Sequence, residues 1–201
     1  MSDSLESVLN KSFEIGKKVS KSIEGITIND DTKDLMIAAY LSLNIQHHSA
    51  ILKLIELKIP SSAAALFRSL TDAYYRMTWL SFLGTDIDVN EINTTDYNWL
   101  QTWKLADKID QHLSQLHGET ITDSHDILRN FSRACNGYTH GGIEQLARQF
   151  KDGTIEVNFE DDELIELVNG SNAFLSMTLL TFANHTNNSE LRNLAEEIVN
   201  S

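Results

Sequence analysis

The sequence predicts an all-α protein, an up-and-down bundle of about six or seven helices. The chain of 201 residues contains one proline and nine glycines, where average usage would give about ten and about fourteen, and this shortage of helix breakers favours long helices. Apolar residues make up 41% and charged residues 22%, which is typical of a globular domain. We expect one domain over 1–201, comprising an N-terminal helix and link (1–28), a bundle core (31–184) and a C-terminal helix (189–199).

Apolar spacing predicts two helices in the first 58 residues. The first runs from about 4 to 24, where an apolar stripe recurs every three or four residues. The second runs from about 31 to 58 and has an N-cap available at Asn29, Asp30 or Asp31. Its apolar residues cover a wide arc, which is typical of a central helix of a bundle or of a helix at a subunit interface.

Pro60 separates the second helix from a third. Ser61 or Ser62 offers an N-cap for a helix over about 62–83, and Gly84 follows as a C-cap. Because the connection is short, helices two and three are expected to form an antiparallel hairpin.

Polar or glycine-containing segments divide the next part of the chain. Residues 85–94 are expected to be a loop, followed by a helix over about 96–116 that ends at Gly118. Another helix is expected over about 124–138, and a shorter one that ends near Phe150.

The last part of the chain predicts one short extended segment and two helices. Residues 154–159 alternate apolar and polar side chains, but no partner strand is apparent, so no sheet is predicted. A helix then begins at Asp161 or Asp162 and ends near residue 184, and Ser189 caps a last helix that ends at residue 199.

The protein is strongly acidic, with 29 acidic residues, 16 basic residues and a formal net charge of −13. This charge repels polyanions over most of the surface and disfavours non-specific nucleic-acid binding. Residues 121–150 carry three acids and three bases, whereas residues 151–201 carry ten acids and two bases. The neutral window is the most favourable place for a phosphate, unless its balance arises by chance.

Cysteine content and apolar run length indicate the compartment. Cys135 is the only cysteine, so the sequence excludes an intramolecular disulfide and a cysteine-rich zinc site. The first residues lack the basic flank and apolar run of a signal peptide. The longest nearly apolar stretch, 173–183, is much shorter than the roughly 20 residues that span a bilayer. We therefore expect a cytoplasmic protein with no membrane partner.

Histidine spacing predicts neither a metal centre nor a cofactor. His47 and His48 are adjacent, and neighbouring residues of a helix point about 100° apart, so these two side chains cannot chelate one ion together. Neither a Glu-x-x-His nor a His-Glu-x-x-His motif occurs. A site assembled from His and Asp residues of different helices is the alternative that remains open.

The segment 126–142 carries the strongest functional signal. If it is helical as far as His140, polar residues three or four apart share one face: Asp126, Arg129, Arg133, Asn136 and His140. An arginine binds phosphate as a planar fork, and a histidine transfers protons near neutral pH, so this pair suits phosphodiester transfer. The alternative is a solvated polar face, with His140 placed favourably at a helix C-terminus.

Two further groups allow a functional and a structural interpretation. Arg68, Asp72 and Arg76 recur every four residues and form either a polar pocket wall that faces His140 or a row of ion pairs. A set of aromatic and basic residues either stacks bases or packs into the core or a dimer interface; it consists of Tyr97, Trp99, Trp103 and Lys104.

An arginine followed by a histidine near the end of a late helix, here Arg133 and His140, resembles the HEPN superfamily of all-α bundles. Arg68-Ser-Leu-Thr-Asp72, followed later by Tyr138-Thr-His-Gly141, is also similar to a helix and a turn of uncharacterised bacterial HEPN-like proteins. The resemblance covers about 31–184. The chain departs from the family pattern in the six residues between the pair and in Ala134, where a polar residue is usual.

The resemblance implies a metal-independent endoribonuclease that acts as a homodimer, either a toxin or a phage-defence effector. Arg133 then binds phosphate and His140 carries the proton. Asn136 completes the candidate catalytic set, and the candidate substrate-binding residues are Arg129, Arg68, Asp72 and Tyr138. The alternative is a non-catalytic HEPN-like interaction or scaffold module, also a homodimer. The expected partners are a second copy of the chain, RNA and a regulatory protein.

Overall fold

The computed structural model describes residues 4–94, 97–118 and 142–199. These residues are mostly helical, which confirms the predicted all-α class. In chain order the elements are α1 (Leu5–Ile23), α2 (Thr32–Glu56), α3 (Pro60–Phe82), α4 (Asp86–Ile92), α5 (Thr102–His117), α6 (Ile143–Ala147), β1 (Phe150–Lys151), β2 (Thr154–Ile155), α7 (Asp161–His185) and α8 (Ser189–Val199). The described ranges thus hold eight helices, more than the six or seven expected. The predicted helix over 124–138 lies outside them.

The first three helices lie close to their predicted bounds, for local reasons. Asp31 is the N-cap of α2, where its carboxylate accepts hydrogen bonds from the backbone N–H groups of Lys33 and Asp34. The prediction that a serine caps α3 was wrong, since α3 already begins at Pro60. Proline is favoured at the first helical position because its ring sets a helical φ and the missing N–H has no partner there in any case.

Helices α2 and α3 pack against each other as the predicted antiparallel hairpin. Their short connection includes Lys58, which has a left-handed φ of 60°. At the other end of α3, the Gly84 N–H donates to the carbonyl of Trp79 at 3.0 Å. A Cβ on Gly84 would lie 3.0 Å from the carbonyl oxygen of Leu80, so a residue without a side chain suits this turn.

The prediction of a loop over 85–94 was wrong, because α4 lies within it. Thr85 and Asp88 form a reciprocal capping box, in which each side chain bonds to the backbone N–H of the other residue. Such a box satisfies two of the N–H groups that a helix start leaves without partners. The Thr-x-x-Asp spacing was therefore a helix signal that the polar composition concealed.

The next helix begins later than predicted but ends as predicted. Residues 97–101 are not helical, and α5 starts at Thr102 in place of about residue 96. The Trp99 ring lies 6.3 Å from Tyr40 and 6.1 Å from Trp79, both edge-to-face, so contacts with α2 and α3 hold this segment. Gly118 ends α5 with a φ of 69°, in the left-handed conformation of a glycine C-cap.

The prediction that no sheet forms was also wrong. Phe150 pairs with Ile155, and Lys151 with Thr154, in a two-residue antiparallel hairpin. Asp152 and Gly153 both have positive φ, 50° and 83°, as the type I′ turn of an Asp-Gly hairpin requires. The partner strand that the sequence did not reveal begins at Phe150, where a helix end was predicted. The helix itself, α6, ends earlier, at Ala147.

Helix α2 is central, as its wide apolar arc predicted, and packs against α1, α3 and α7. None of the helices within the described ranges is long and apolar enough to cross a membrane. The largest apolar side chains with almost no solvent exposure come from α2, α3, α5 and α7: Ile37, Ile51, Leu52, Phe67, Leu70, Met77, Leu80, Leu105, Leu175, Leu179 and Phe182.

Candidate functional site

Most of the predicted site lies outside the described residues: Arg129, Arg133, Asn136, Tyr138 and His140. Their roles stay predictions. The structure does place Arg68 and Asp72, together with Arg76, on the side of α3 that packs against α5 and the segment before it.

Arg68 and Asp72 form an ion pair that a third residue supports. The Arg68 Nε lies 3.7 Å from Asp72 Oδ2, and the two side chains retain 30% and 24% of their exposure. The hydroxyl of Thr102, at the start of α5, donates to the other carboxylate oxygen of Asp72. The pair is therefore held against α5, which the sequence did not indicate because Thr102 is 30 residues away.

Arg76 does not extend this ion-pair row, because it turns toward aromatic rings. Its guanidinium carbon lies 5.2 Å from the centre of the Trp99 ring, a cation–π distance. Burial raises the pKa of the Tyr40 phenol on α2, and the positive charge of the nearby Arg76 partly offsets this effect. The guanidinium thus contacts Trp99 and lies near Tyr40.

Among the aromatic residues before and within α5, Trp99 packs against other rings, as one of the two interpretations predicted, and base stacking stays a prediction. Trp99 packs edge-to-face on Tyr97, with ring centres 5.2 Å apart, and on the rings of α2 and α3. Trp103 donates from its indole N–H to Gln101, and the Lys104 ammonium lies 5.3 Å from the Trp103 ring centre. The result is a partly exposed surface in which basic groups meet aromatic rings; we call Arg68, Asp72, Arg76, Trp99, Thr102, Trp103 and Lys104 the α3–α5 surface.

A buried polar chain crosses the bundle beneath α1. The His48 Nε2 lies 2.9 Å from the Asn172 Oδ1, and the Asn172 amide nitrogen donates to the Ser12 hydroxyl at 2.8 Å. The Ser12 hydroxyl donates to the carbonyl of Val8 at 2.8 Å. His48 and Ser12 have no exposed surface. Helices α1, α2 and α7 are therefore joined by one hydrogen-bonded row.

The direction of each hydrogen bond in this row follows from its last member. A carbonyl only accepts, so Ser12 donates to Val8 and accepts from the amide nitrogen of Asn172. The amide oxygen then faces His48, whose Nε2 carries the proton, and Nδ1 keeps the lone pair. Because Asn172 separates serine from imidazole, Ser12 is not activated as a nucleophile.

Burial sets the protonation state of His48. Burial lowers its pKa, more than the hydrogen bond with Asn172 raises it. The imidazole is therefore neutral at neutral pH. The sequence contained a signal for this position, since His48 lies three or four residues from Ile45, Ile51 and Leu52 on the apolar face of α2.

A second histidine joins the ends of two helices. The His185 Nε2 at the end of α7 lies 2.7 Å from the Asp34 Oδ1 at the start of α2. Hydrogen bonds with Asn29 and His185 lower the pKa of the Asp34 carboxyl. This pair stabilises the packing of the two helix ends. The sequence did not indicate it, because the residues are 151 positions apart.

Metal-ligating groups do not converge in the part of the chain with a described structure. No set of three His, Cys, Asp or Glu side chains there lies close enough to hold one metal ion.

Comparison with known proteins identifies a family. Residues 41–201 match the model of a family of unknown function, DUF6988. No curated protein and no solved structure matches the chain. The family match begins within α2 and covers most of the chain, including the α3–α5 surface and both His48 and Asn172. The chain therefore belongs to the DUF6988 family.

Proposed function

We propose that this protein is a metal-independent endoribonuclease, in which Arg133 binds the scissile phosphate and His140 carries the proton. The observation that supports RNA as the ligand is the α3–α5 surface, where arginine and lysine side chains contact aromatic rings. RNA-binding surfaces combine these two groups, because bases stack on aromatic and guanidinium planes while cations attract the phosphates.

The position of Arg76 is the most informative part of this surface. Trp99 contacts its guanidinium before any ligand binds, so little side-chain entropy is lost when a phosphate or a base docks. Arg68 is held similarly by Asp72, which Thr102 fixes in turn. A solvated row of ion pairs would not require two guanidinium groups on one helix face to be held in place, so this arrangement favours a binding role.

Local charge also supports this surface as the RNA contact. The α3–α5 surface has three basic side chains and one acidic side chain, whereas the whole protein has a net charge of −13. The acidic character of the protein disfavours polyanions in general, so among the described residues this surface is the most favourable place for RNA contacts. We infer a narrow substrate range or control by a protein partner.

The chemistry assigned to His140 and Arg133 balances without a metal ion. The neutral imidazole takes the proton of the ribose 2′-hydroxyl, whose oxygen attacks phosphorus, and the bond to the 5′-oxygen breaks. The leaving oxygen takes a proton from a histidinium, which the second copy of the motif supplies in a homodimer. Arg133 stabilises the negative charge that develops on the phosphate oxygens.

RNA cleavage in EDTA tests the proposal. Wild-type protein, His140→Ala and Arg133→Ala are incubated with total cellular RNA, with His117→Ala at the exposed end of α5 as the matched histidine control. We expect cleavage by wild type and His117→Ala, and a loss of at least about 100-fold in the other two variants. Absence of cleavage by folded wild-type protein, or full activity of His140→Ala, would refute this function.

An interaction module is the second candidate, and a specific surface favours it. Within residues 143–157, five large apolar side chains are at least half exposed: Ile143, Leu146, Phe150, Ile155 and Val157. Phe150 and Ile155 are neighbours across the hairpin, and large contiguous exposed apolar surface is typical of protein–protein contacts. The occupant that we propose is a second copy of the chain, which the homodimer interpretation requires.

Sedimentation velocity tests whether this surface is the dimer interface. Wild-type protein is expected to sediment as a dimer, and Ile155→Lys, at an 87% exposed position of β2, is expected to weaken the dimer at least tenfold because it places a charge in the contact. Lys151→Glu on the paired strand is the charge-change control. A monomeric wild-type protein, or an unchanged dimer in Ile155→Lys, would exclude this surface as the interface.

A further inference from the structure

The β1–β2 hairpin has one edge along which backbone groups have no partner. Lys151 pairs with Thr154 beside the turn. Two residues further along, the Glu156 N–H donates to the Gln149 carbonyl at 3.0 Å. Thr154 and Glu156 therefore direct their backbone groups toward β1. Since successive strand residues direct these groups to opposite edges, the N–H and C=O of Ile155 point away from β1. Among the described residues, no backbone group bonds to Ile155 on this side, which we call the β2 edge.

The β2 edge lacks the usual protection of a sheet edge. Sheet edges are commonly covered by another element, or carry proline or lysine, and both devices prevent pairing with a further strand. The β2 edge is uncovered, since Ile155 is 87% and Val157 50% exposed, and residues 154–158 contain neither proline nor lysine. A two-stranded hairpin is only marginally stable by itself, so a further strand on this edge stabilises it.

One face of the hairpin is apolar and exposed. Phe150 and Ile155 are directly opposite each other, so their side chains lie on the same face, and Val157 shares this face because it is two residues from Ile155. All three side chains are at least half exposed. A strand that joins the β2 edge therefore places its own side chains beside an apolar surface.

Charge favours a second copy of the chain as the occupant of this edge. Residues 143–159 contain three acids and two bases, a net charge of −1, whereas the other residues contain 26 acids and 14 bases, a net charge of −12. Two copies repel each other over most of their surface and least at this segment. A two-fold axis requires that the same surface be used by both copies, and an edge strand that pairs antiparallel with itself meets this requirement.

We propose that β2 pairs antiparallel with β2 of a second copy, so that the two hairpins form one four-stranded sheet across a two-fold axis. This inference rests on the proposed dimer contact through residues 143–157 and adds how the two copies join. Ile155 lies opposite its counterpart, and the two residues exchange N–H···O=C hydrogen bonds. Thr154 and Glu156 then lie opposite each other across the axis. A register centred on Glu156 is disfavoured, because it places two carboxylates directly opposite each other.

Helix α6 adds apolar area to this contact. Two short strands that pair edge to edge bury too little surface for a stable dimer, which needs about 1,200 Å² in total. Ile143 and Leu146 of α6 are 73% and 53% exposed, and they precede the hairpin directly in the chain. The strand pairing therefore sets the orientation of the two copies, while these side chains supply further buried surface.

Cysteine cross-linking tests the register. In a Cys135→Ser background, Ile155→Cys places two thiols opposite each other, with Cα atoms about 5.5 Å apart, a distance that a disulfide spans. We expect mild oxidation to give a covalent dimer. Glu156→Cys is the matched control, because its side chain lies on the other face and opposite Thr154, and we expect it to cross-link at least about tenfold more slowly. Equal cross-linking of both variants, or none by a dimeric Ile155→Cys, would overturn this register.

Amide hydrogen exchange of the wild-type protein distinguishes strand pairing from a contact between side chains alone. With mass spectrometry resolved to single residues, we expect the Ile155 amide to exchange at least about tenfold more slowly in the dimer than in the monomer obtained by dilution. The Asp152 amide in the turn is the control and keeps its rate. Equal exchange of Ile155 in dimer and monomer refutes strand pairing but leaves the proposed dimer contact intact. A wild-type protein that is monomeric at every concentration refutes both.

Discussion

Gly170 of α7 lies against an aromatic ring in the core. We expect Gly170→Ala to destabilise the protein while that ring is present and to stabilise it when a smaller side chain replaces the ring. A Cβ at Gly170 would lie 2.9 Å from Cζ and 3.2 Å from Cε2 of Phe67. Phe67 is 2% exposed and packs edge-to-face on Phe174, with ring centres 5.6 Å apart. The ring therefore has little room to move away from an added methyl group.

Two opposing contributions set the change in the free energy of unfolding caused by Gly170→Ala. Gly→Ala in a helix interior gains about 1 kcal/mol of propensity, whereas overpacking a tight core costs about 1–3 kcal/mol. We expect Gly170→Ala to lower the free energy of unfolding by up to about 2 kcal/mol in the wild type. In a Phe67→Leu background the ring edge is absent, so the same substitution is expected to raise the free energy of unfolding by about 1 kcal/mol.

Urea denaturation followed by far-UV circular dichroism measures both effects. The four proteins of the cycle are the wild type, the two single variants and the double variant, and the expected coupling is about 1–3 kcal/mol. An equal effect of Gly170→Ala in both backgrounds would show that the contact with Phe67 does not limit this position, and would refute the reasoning.

Three further predictions concern charge and capping. Burial lowers the pKa of His48, so as the pH falls the unfolded chain takes up this proton near pH 6.5, before the folded protein does. The free energy of unfolding is therefore expected to be greatest above that pH and to fall below it, and to depend less steeply on pH in His48→Phe. Hydrogen bonds lower the pKa of Asp34 from 3.8, so the stabilisation by its carboxylate is present above that pH and is lost as the pH falls through the pKa of the folded protein. In Asp34→Asn the free energy of unfolding is therefore expected to fall less steeply with acid. Asp31→Ala, which removes the α2 cap, is expected to cost about 1 kcal/mol in urea denaturation, whereas Asp30→Ala beside it should change stability by less than about 0.5 kcal/mol.

The helices of this protein could be predicted from local signals, and the errors also have local causes. The shortage of proline and glycine, the apolar arc of α2 and the cap at Asp31 all act within a few residues, and the structure follows them. The loop expected over 85–94 concealed a capping box. The expected absence of a sheet resulted from assigning Phe150 to a helix, although Asp152-Gly153 is a hairpin turn signal.

The candidate site could be predicted only in part. Arg68 and Asp72 were recognised because their spacing of four residues is local. Thr102, Tyr40 and Asn172 were missed, because each reaches its partner from another helix. Residues that are far apart in the sequence but in contact in the fold leave no periodic pattern that a single sequence could show.

The sequence by itself determined the helical class, most helix bounds and the acidic character of the protein, because propensity, capping and composition depend on neighbouring residues. Only the tertiary structure decided that Arg76 stacks on Trp99 and that His48 joins Asn172 and Ser12 beneath α1. The reason is that packing brings together groups from distant parts of the chain, and burial then changes the protonation of an ordinary side chain such as His48.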